Sequence, residues 1–114
     1  MDGDRQGRHS GRLRVSSAVG PGSVLVVASG EVDFETSTWL GDALEDAVTS
    51  GSHRIEVDLS KVAFCDCSGL SALLQAHEHA RQRNAVLVVH DSLSPLVRRL
   101  FEVMEVSPLL MRAA

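Results

Sequence analysis

Three runs of strand-type residues, separated by two stretches with helical spacing, constrain this chain more than any other feature. The runs are "SVLVVASG" (23–30), "RIEVDLS" (54–60) and "AVLVVH" (85–90). Between the first two, Thr36 is the predicted N-cap, and Trp39, Leu40, Ala43, Leu44, Ala47 and Val48 recur at helical spacing as far as Gly51. Between the second and third, Leu70, Leu73, Leu74, His77 and Ala80 trace one helix face. That helix stops near Asn84, a residue that tolerates the left-handed C-cap. Strands that alternate with helices pair in parallel through crossovers. The preceding "RLRVSSAV" (12–19) differs, because Gly20, Pro21 and Gly22 join it to 23–30 as a hairpin. The uninterrupted "AVLVVH" predicts a strand buried on both faces. Ser94-Pro95 opens a third helix in cap-then-proline order. Its expected apolar face is Leu96, Val97, Leu100, Phe101 and Met104, and a last helical turn is expected over 108–112. The order ββαβαβα, with that terminal turn, predicts an α/β fold: a mixed β-sheet packed with about four helices.

The first eleven residues, "MDGDRQGRHSG", are polar and glycine-punctuated, so 1–11 is expected to be a disordered arm and 12–112 the domain. Arg5, Arg8, Arg12 and Arg14 against Asp2 and Asp4 give residues 1–14 a net +2, so the remainder carries −6 of the overall −4. An acidic body of this kind lacks the basic, aromatic-interleaved face that nucleic acid requires. No apolar run approaches the roughly 18 residues of a membrane span. The N-terminus has arginines but no apolar core of a secretory signal. Two cysteines one residue apart make no disulfide framework. A soluble, reducing, cytoplasmic setting is expected, with no membrane and no nucleic acid among the partners.

"CDCSGL" (65–70) is the stretch with the most chemistry in it. Cys65 and Cys67 supply two thiolates, but a tetrahedral zinc site needs two more ligands. His77 and His79 lie two residues apart, on different helix faces, and "HEHAR" lacks the spacing of a zinc protease helix. "HDS" (90–92) names three triad residue types, yet adjacent residues cannot form a triad. No metal, cofactor or catalytic group is expected, and the chain reads as a binding protein and not an enzyme. What remains is position: Asp66 can cap a helix whose first turn carries Cys67 and Ser68. Unpaired N–H groups and the helix dipole favour negative charge there. A phosphate at that place would add about −1.5 to −2 charges to any docked surface. An ordinary capped helix start has the same sequence.

"SGEVDFET" (29–36), "VDLSKVAFCDCSGLSALL" (57–74) and "SPLVRRLFEVMEV" (94–106) together resemble the STAS domain of bacterial anti-sigma factor antagonists. The family pattern is G-E-[ILV]-D before the first helix, D-[ST]-[ST]-G-L at the second, and a late L-F. The resemblance implies a cytoplasmic antagonist that binds an anti-sigma factor, a serine kinase of the histidine-kinase-like ATPase fold, and frees a sigma factor for transcription. It further implies partner switching: the kinase phosphorylates a hydroxyl in the D-[ST]-[ST]-G turn, and a phosphatase resets it. The protein is expected to be a monomer or weak dimer. Partner-binding residues carried over on these motifs are Glu31, Asp33, Asp66, Cys67, Ser68, Gly69 and Ser71.

The family phosphosite is the residue after the aspartate, which here is Cys67, a thiol that cannot replace the hydroxyl. Three readings stay open: an antagonist not phosphorylated at that position, a kinase that uses Ser68 instead, and a redox-responsive module in which Cys67 reacts and Cys65 resolves it. A scaffold subunit of a signalling assembly is a further alternative, as is the cytoplasmic tail of an anion transporter, against which the lack of a membrane segment counts. Gly30 and Ser94 match family positions, and Phe101 matches one read as core. Asp33 is read either as a partner contact or as a local helix cap. Glu105 stands where many relatives have glycine.

Overall fold

The computed structural model describes residues 7–9 and 11–111. Strands β1 (Gly7–His9), β2 (Leu13–Gly20), β3 (Ser23–Val32), β4 (Arg54–Cys65) and β5 (Val86–Val89) form one sheet in that spatial order. The β1–β2 and β2–β3 pairs are antiparallel, and β3–β4 and β4–β5 are parallel. Helices α1 (Ser37–Thr49) and α2 (Cys67–Gln82) make the two crossovers; α3 (Pro95–Val103) and α4 (Ser107–Leu110) follow β5. The expected mixed sheet with four helices is therefore present. Within the stretch read as an arm, the structure differs at 7–9, where β1 pairs along β2. An edge strand offers unpaired backbone groups to any passing segment, a demand that leaves no side-chain signature. Residues 1–6, 10 and 112–114 lie outside the described residues.

The sheet buries alternate residues, as a half-covered sheet must. Leu13 and Val15 of β2, Val24, Val26, Ala28 and Val32 of β3, and Ile55, Val57 and Leu59 of β4 enter a single apolar cluster. Beyond Leu59 the buried positions of β4 are Val62 and Cys65, spaced by three instead of two. The cause lies in the register with β3, which shifts between Val27 and Ser29 and again between Gly30 and Glu31. Each shift places one extra residue on β4, a bulge that turns the next side chain back to the core. The strand read as 54–60 thus runs on to Cys65, leaving Phe64 on the outside. In β5, Leu87, Val88 and Val89 are buried but Val86 is exposed, so only part of that strand is covered on both faces.

The helices cover the cluster with Leu40, Ala43, Leu44, Ala47 and Val48 of α1, and Leu70, Leu73, Ala76 and Ala80 of α2. Val97 and Phe101 of α3 and Leu110 of α4 complete it. Trp39, Leu96 and Met104 were expected on apolar faces and are exposed. All three flank stripes too narrow, on short helices, to cover every apolar position. Ser94 caps α3 through the Val97 amide, with Pro95 in the first turn.

Helices α2 and α3 end in the same way. Asn84 has φ 60°, its amide bonds the Arg81 carbonyl, and the Ala85 amide bonds the Ala80 carbonyl. Glu105 also has φ 60°, with Glu105 to Glu102 and Val106 to Phe101 bonds. Both are Schellman closures, whose left-handed residue is most often glycine. A left-handed non-glycine residue costs about 1–2 kcal/mol, and glycine returns about 0.5–1 kcal/mol through unfolded-chain entropy. Glu105→Gly is therefore expected to stabilise by about 0.5–1 kcal/mol, read as a rise of roughly 2–6 °C in thermal midpoint. No rise would show that the Glu105 side chain offsets the strain.

Candidate functional site

Two loops meet where the parallel strands end. The first follows β3 and contains Asp33. Its carboxylate Oδ1 accepts from the Glu35 and Thr36 amides, both at 2.9 Å. The Thr36 hydroxyl, 1% exposed, donates to the Glu31 carbonyl at 2.8 Å and accepts from the Asp33 amide at 2.9 Å. Thr36 was expected to cap α1 and does not: its backbone is already helical and its side chain makes no cap bond. Asp33 performs that task, the local-cap alternative of the two open for it. The other Asp33 oxygen, Oδ2, is bound by the Arg12 guanidinium, which also reaches Glu35 at 2.6 Å and Glu31 at 3.9 Å. Arg12, counted from sequence among the basic residues of the N-terminal stretch, is the clamp of this loop.

The Thr36 amide first, and Arg12 second, hold the Asp33 carboxyl down at about 2, from an ordinary 3.8. A depressed folded-state value contributes stability above the unfolded value, and that contribution is lost as pH falls through the folded one. Asp33→Asn keeps the amide-accepting oxygen and removes the charge. The stability gap between parent and Asp33→Asn is expected to be full above about pH 4 and to close between about pH 4 and 2. Urea titrations at stepped pH measure it, and a gap independent of pH would show that the fold does not favour the charged form of Asp33.

The second loop is the turn at 65–69. The Asp66 amide bonds the Val32 carbonyl at 3.1 Å, which ties this turn to the end of β3. The Asp66 carboxylate caps α2 by accepting from the Ser68 amide at 2.9 Å. Gly69 is buried, and a Cβ there would lie 2.5 Å from Cys65 Sγ and 2.7 Å from Val32 Cγ1. Only glycine lets α2 start this close to the strands. Cys65 is buried and donates to the Asp66 carbonyl at 3.5 Å. Burial first, then the charges of Asp66 and Cys67, push its thiol up to about 12. Cys67 is exposed.

Ser68 and Ser71 face a groove of about 430 Å³ between α1 and α2. Gly41 and Ala72 meet in its floor, Asp42 and Glu45 stand on the α1 side, and Phe34 forms one end. Glu45 also bonds His79 Nδ1 at 2.5 Å, linking the two helices. Of the residues singled out from sequence, the groove takes Ser68 and Ser71. Glu31 and Asp33 turn to Arg12, Asp66 is engaged as a cap, and Gly69 lies beneath. Phe34 was missed: its only signal was an aromatic flanked by acids in "EVDFET". Among the described residues, no helix is long and apolar enough to cross a membrane.

The family model described as "Mlab, STAS domain" matches residues 16–111. The chain is 31% identical over 85 residues to the anti-sigma-B factor antagonist of Listeria monocytogenes, covering 75% of this chain and 74% of that one. A crystal structure of an anti-sigma factor antagonist from Mycobacterium paratuberculosis superposes with a TM-score of 0.74 at 23% identity, over 89% of this chain and 86% of that one. The anti-sigma factor antagonist SpoIIAA in its unphosphorylated form gives 0.71 at 19% identity over 88% of each.

Proposed function

Because this chain belongs to the STAS domain family, we propose that it is an anti-sigma factor antagonist, a binding protein that engages a kinase-type anti-sigma factor and releases a sigma factor for transcription. One observation supports the reading: Ser68, in an Asp66-capped turn, is among the residues lining an open interhelical groove, in a chain 31% identical to an anti-sigma-B factor antagonist. The protein acts in the cytoplasm, where sigma factors work, as a monomer or weak dimer.

Cys67 occupies the family phosphosite, and Ser68 is the hydroxyl that remains in the turn. Transfer to Ser68 would form an Oγ–P bond and break the bond between the γ-phosphorus of ATP and its bridging oxygen. ADP leaves, and the hydroxyl proton passes to a base of the kinase. The product places about −1.5 to −2 charges inside the groove, where a docked partner would have to desolvate them. A phosphatase resets such a mark. The redox reading is weakened by Cys65: with its thiol raised to about 12 and buried, it is a poor resolving group at neutral pH.

The test is incubation of the purified chain with the anti-sigma kinase encoded nearest to it, with and without ATP, followed by intact mass and site mapping. Phosphate on Ser68, abolished by Ser68→Ala, supports a switch moved along by one residue. A stable complex that never becomes phosphorylated supports an antagonist whose switch Cys67 has disconnected. Absence of any complex would overturn the antagonist reading.

A further inference from the structure

We infer that Phe34 is the anchor of the partner contact, and that the surface it fits is a protein segment offering an apolar pocket flanked by arginine or lysine. The inference rests on the antagonist reading and names the chemistry of its interface.

Phe34 is 81% exposed, the highest value among the large exposed hydrophobic side chains of the described residues. The chain has three phenylalanines, one tryptophan and no tyrosine, so an aromatic on the surface is a scarce group in an exposed place. The backbone beneath it is held. Its carbonyl accepts from the Ser37 hydroxyl at 3.2 Å, and its neighbours Asp33 and Glu35 are both gripped by Arg12. The Asp33 carboxylate also fixes the Glu35 and Thr36 amides that follow it. These bonds fix the backbone that carries the ring, so a partner has only the side chain to order when it arrives. An aromatic presented on a fixed backbone beside an open groove is the kind of group that becomes a centre of binding energy once a partner covers it.

The charges around the ring specify the occupant. Glu31 lies near the end of β3, Asp33 and Glu35 on the ring's own loop, Asp42 and Glu45 on α1, and Asp66 on the adjoining turn. Arg12, the cation of the loop, is bonded to two of those acids. Small residues line much of the groove: Gly41, Ala72, Ser68 and Ser71. An acidic rim around one apolar knob and a shallow groove complements a basic surface with an apolar pocket, and such complementarity accelerates encounter at low salt.

The experiment is calorimetric titration of the neighbouring anti-sigma kinase with the parent chain, Phe34→Ala, Phe34→Leu and Leu109→Ala, with association rates measured across a sodium chloride series. Leu109 is an exposed leucine on α4, away from the groove. Phe34→Ala is expected to weaken the complex about 30-fold or more, Phe34→Leu by less, and Leu109→Ala by no more than about twofold. Association of the parent slows as salt rises. The thermal midpoint of Phe34→Ala stays at the parent value, since the ring packs against little. A complex that survives Phe34→Ala, or that Leu109→Ala weakens equally, overturns the anchor and leaves the antagonist reading standing. A parent chain that binds nothing overturns both.

Discussion

Gly30→Ala is expected to lower stability by about 2–4 kcal/mol, whereas Gly22→Ala costs about 1 kcal/mol. Both glycines have positive φ, 116° and 73°, so both substitutions strain the backbone. The difference is what the new methyl group meets. At Gly22 it meets nothing within 4 Å. At Gly30 it would overlap the Arg12 carbonyl oxygen and crowd Leu13 Cα at 3.3 Å. That carbonyl accepts the Glu31 amide at 2.9 Å. Relief of the clash requires β2 to part from β3 at Leu13–Gly30, which loses a hydrogen bond worth about 0.5–1.5 kcal/mol and moves the Arg12 clamp. Urea denaturation of the two variants beside the parent measures the contrast. Equal losses would mean that the strand end yields freely, and that Gly30 serves only its dihedral angle.

Phe101→Ala is expected to cost about 3–5 kcal/mol, the range for emptying a buried aromatic site. Phe101 is fully buried, first by volume among the completely covered side chains. It also stands at the closure of α3, where its carbonyl receives the Val106 amide and Val106 is itself buried. The cavity therefore opens beside the junction of α3 and α4, where the surrounding chain is constrained on two sides and cannot collapse readily. Against a typical total stability of about 5–15 kcal/mol, the loss takes from about a fifth of the folded margin to all of it. Phe101→Leu keeps most of the volume and is expected to cost about 1–1.5 kcal/mol. Equal costs for the two, by chemical denaturation, would place the loss in ring packing and not in the cavity.

The parts of this molecule legible in its sequence are those set by local chemistry. The β-branched runs, the helical spacing of Leu40 to Val48, the Ser94-Pro95 start, the Asp66 cap and the left-handed Asn84 each depend on a few neighbouring residues, and each holds. What could not be read depends on residues far apart in the chain. Gly30 is required by the Arg12 carbonyl, 18 positions earlier in the numbering. Asp33 is legible as a local helix cap, but its second partner, Arg12, looked like one charge of a basic stretch. The bulges of β4 come from its pairing with β3, and no residue within 58–65 announces them. Periodicity also assigned Trp39, Leu96 and Met104 to the core, because spacing locates a stripe and says nothing of its width. Phe34 shows the reverse: an apolar residue whose exposure is a property of the loop around it.

The packing beneath Gly69 has one more consequence, and it concerns how the protein can be observed. Cys65 fills the space a larger residue would need and is sealed there with its thiol raised to about 12, while Cys67 stands in solvent at the adjoining turn. These are the two cysteines of the chain. The unaltered protein therefore carries a single addressable labelling position, and a fluorophore attached to it reports directly on whatever docks beside the turn.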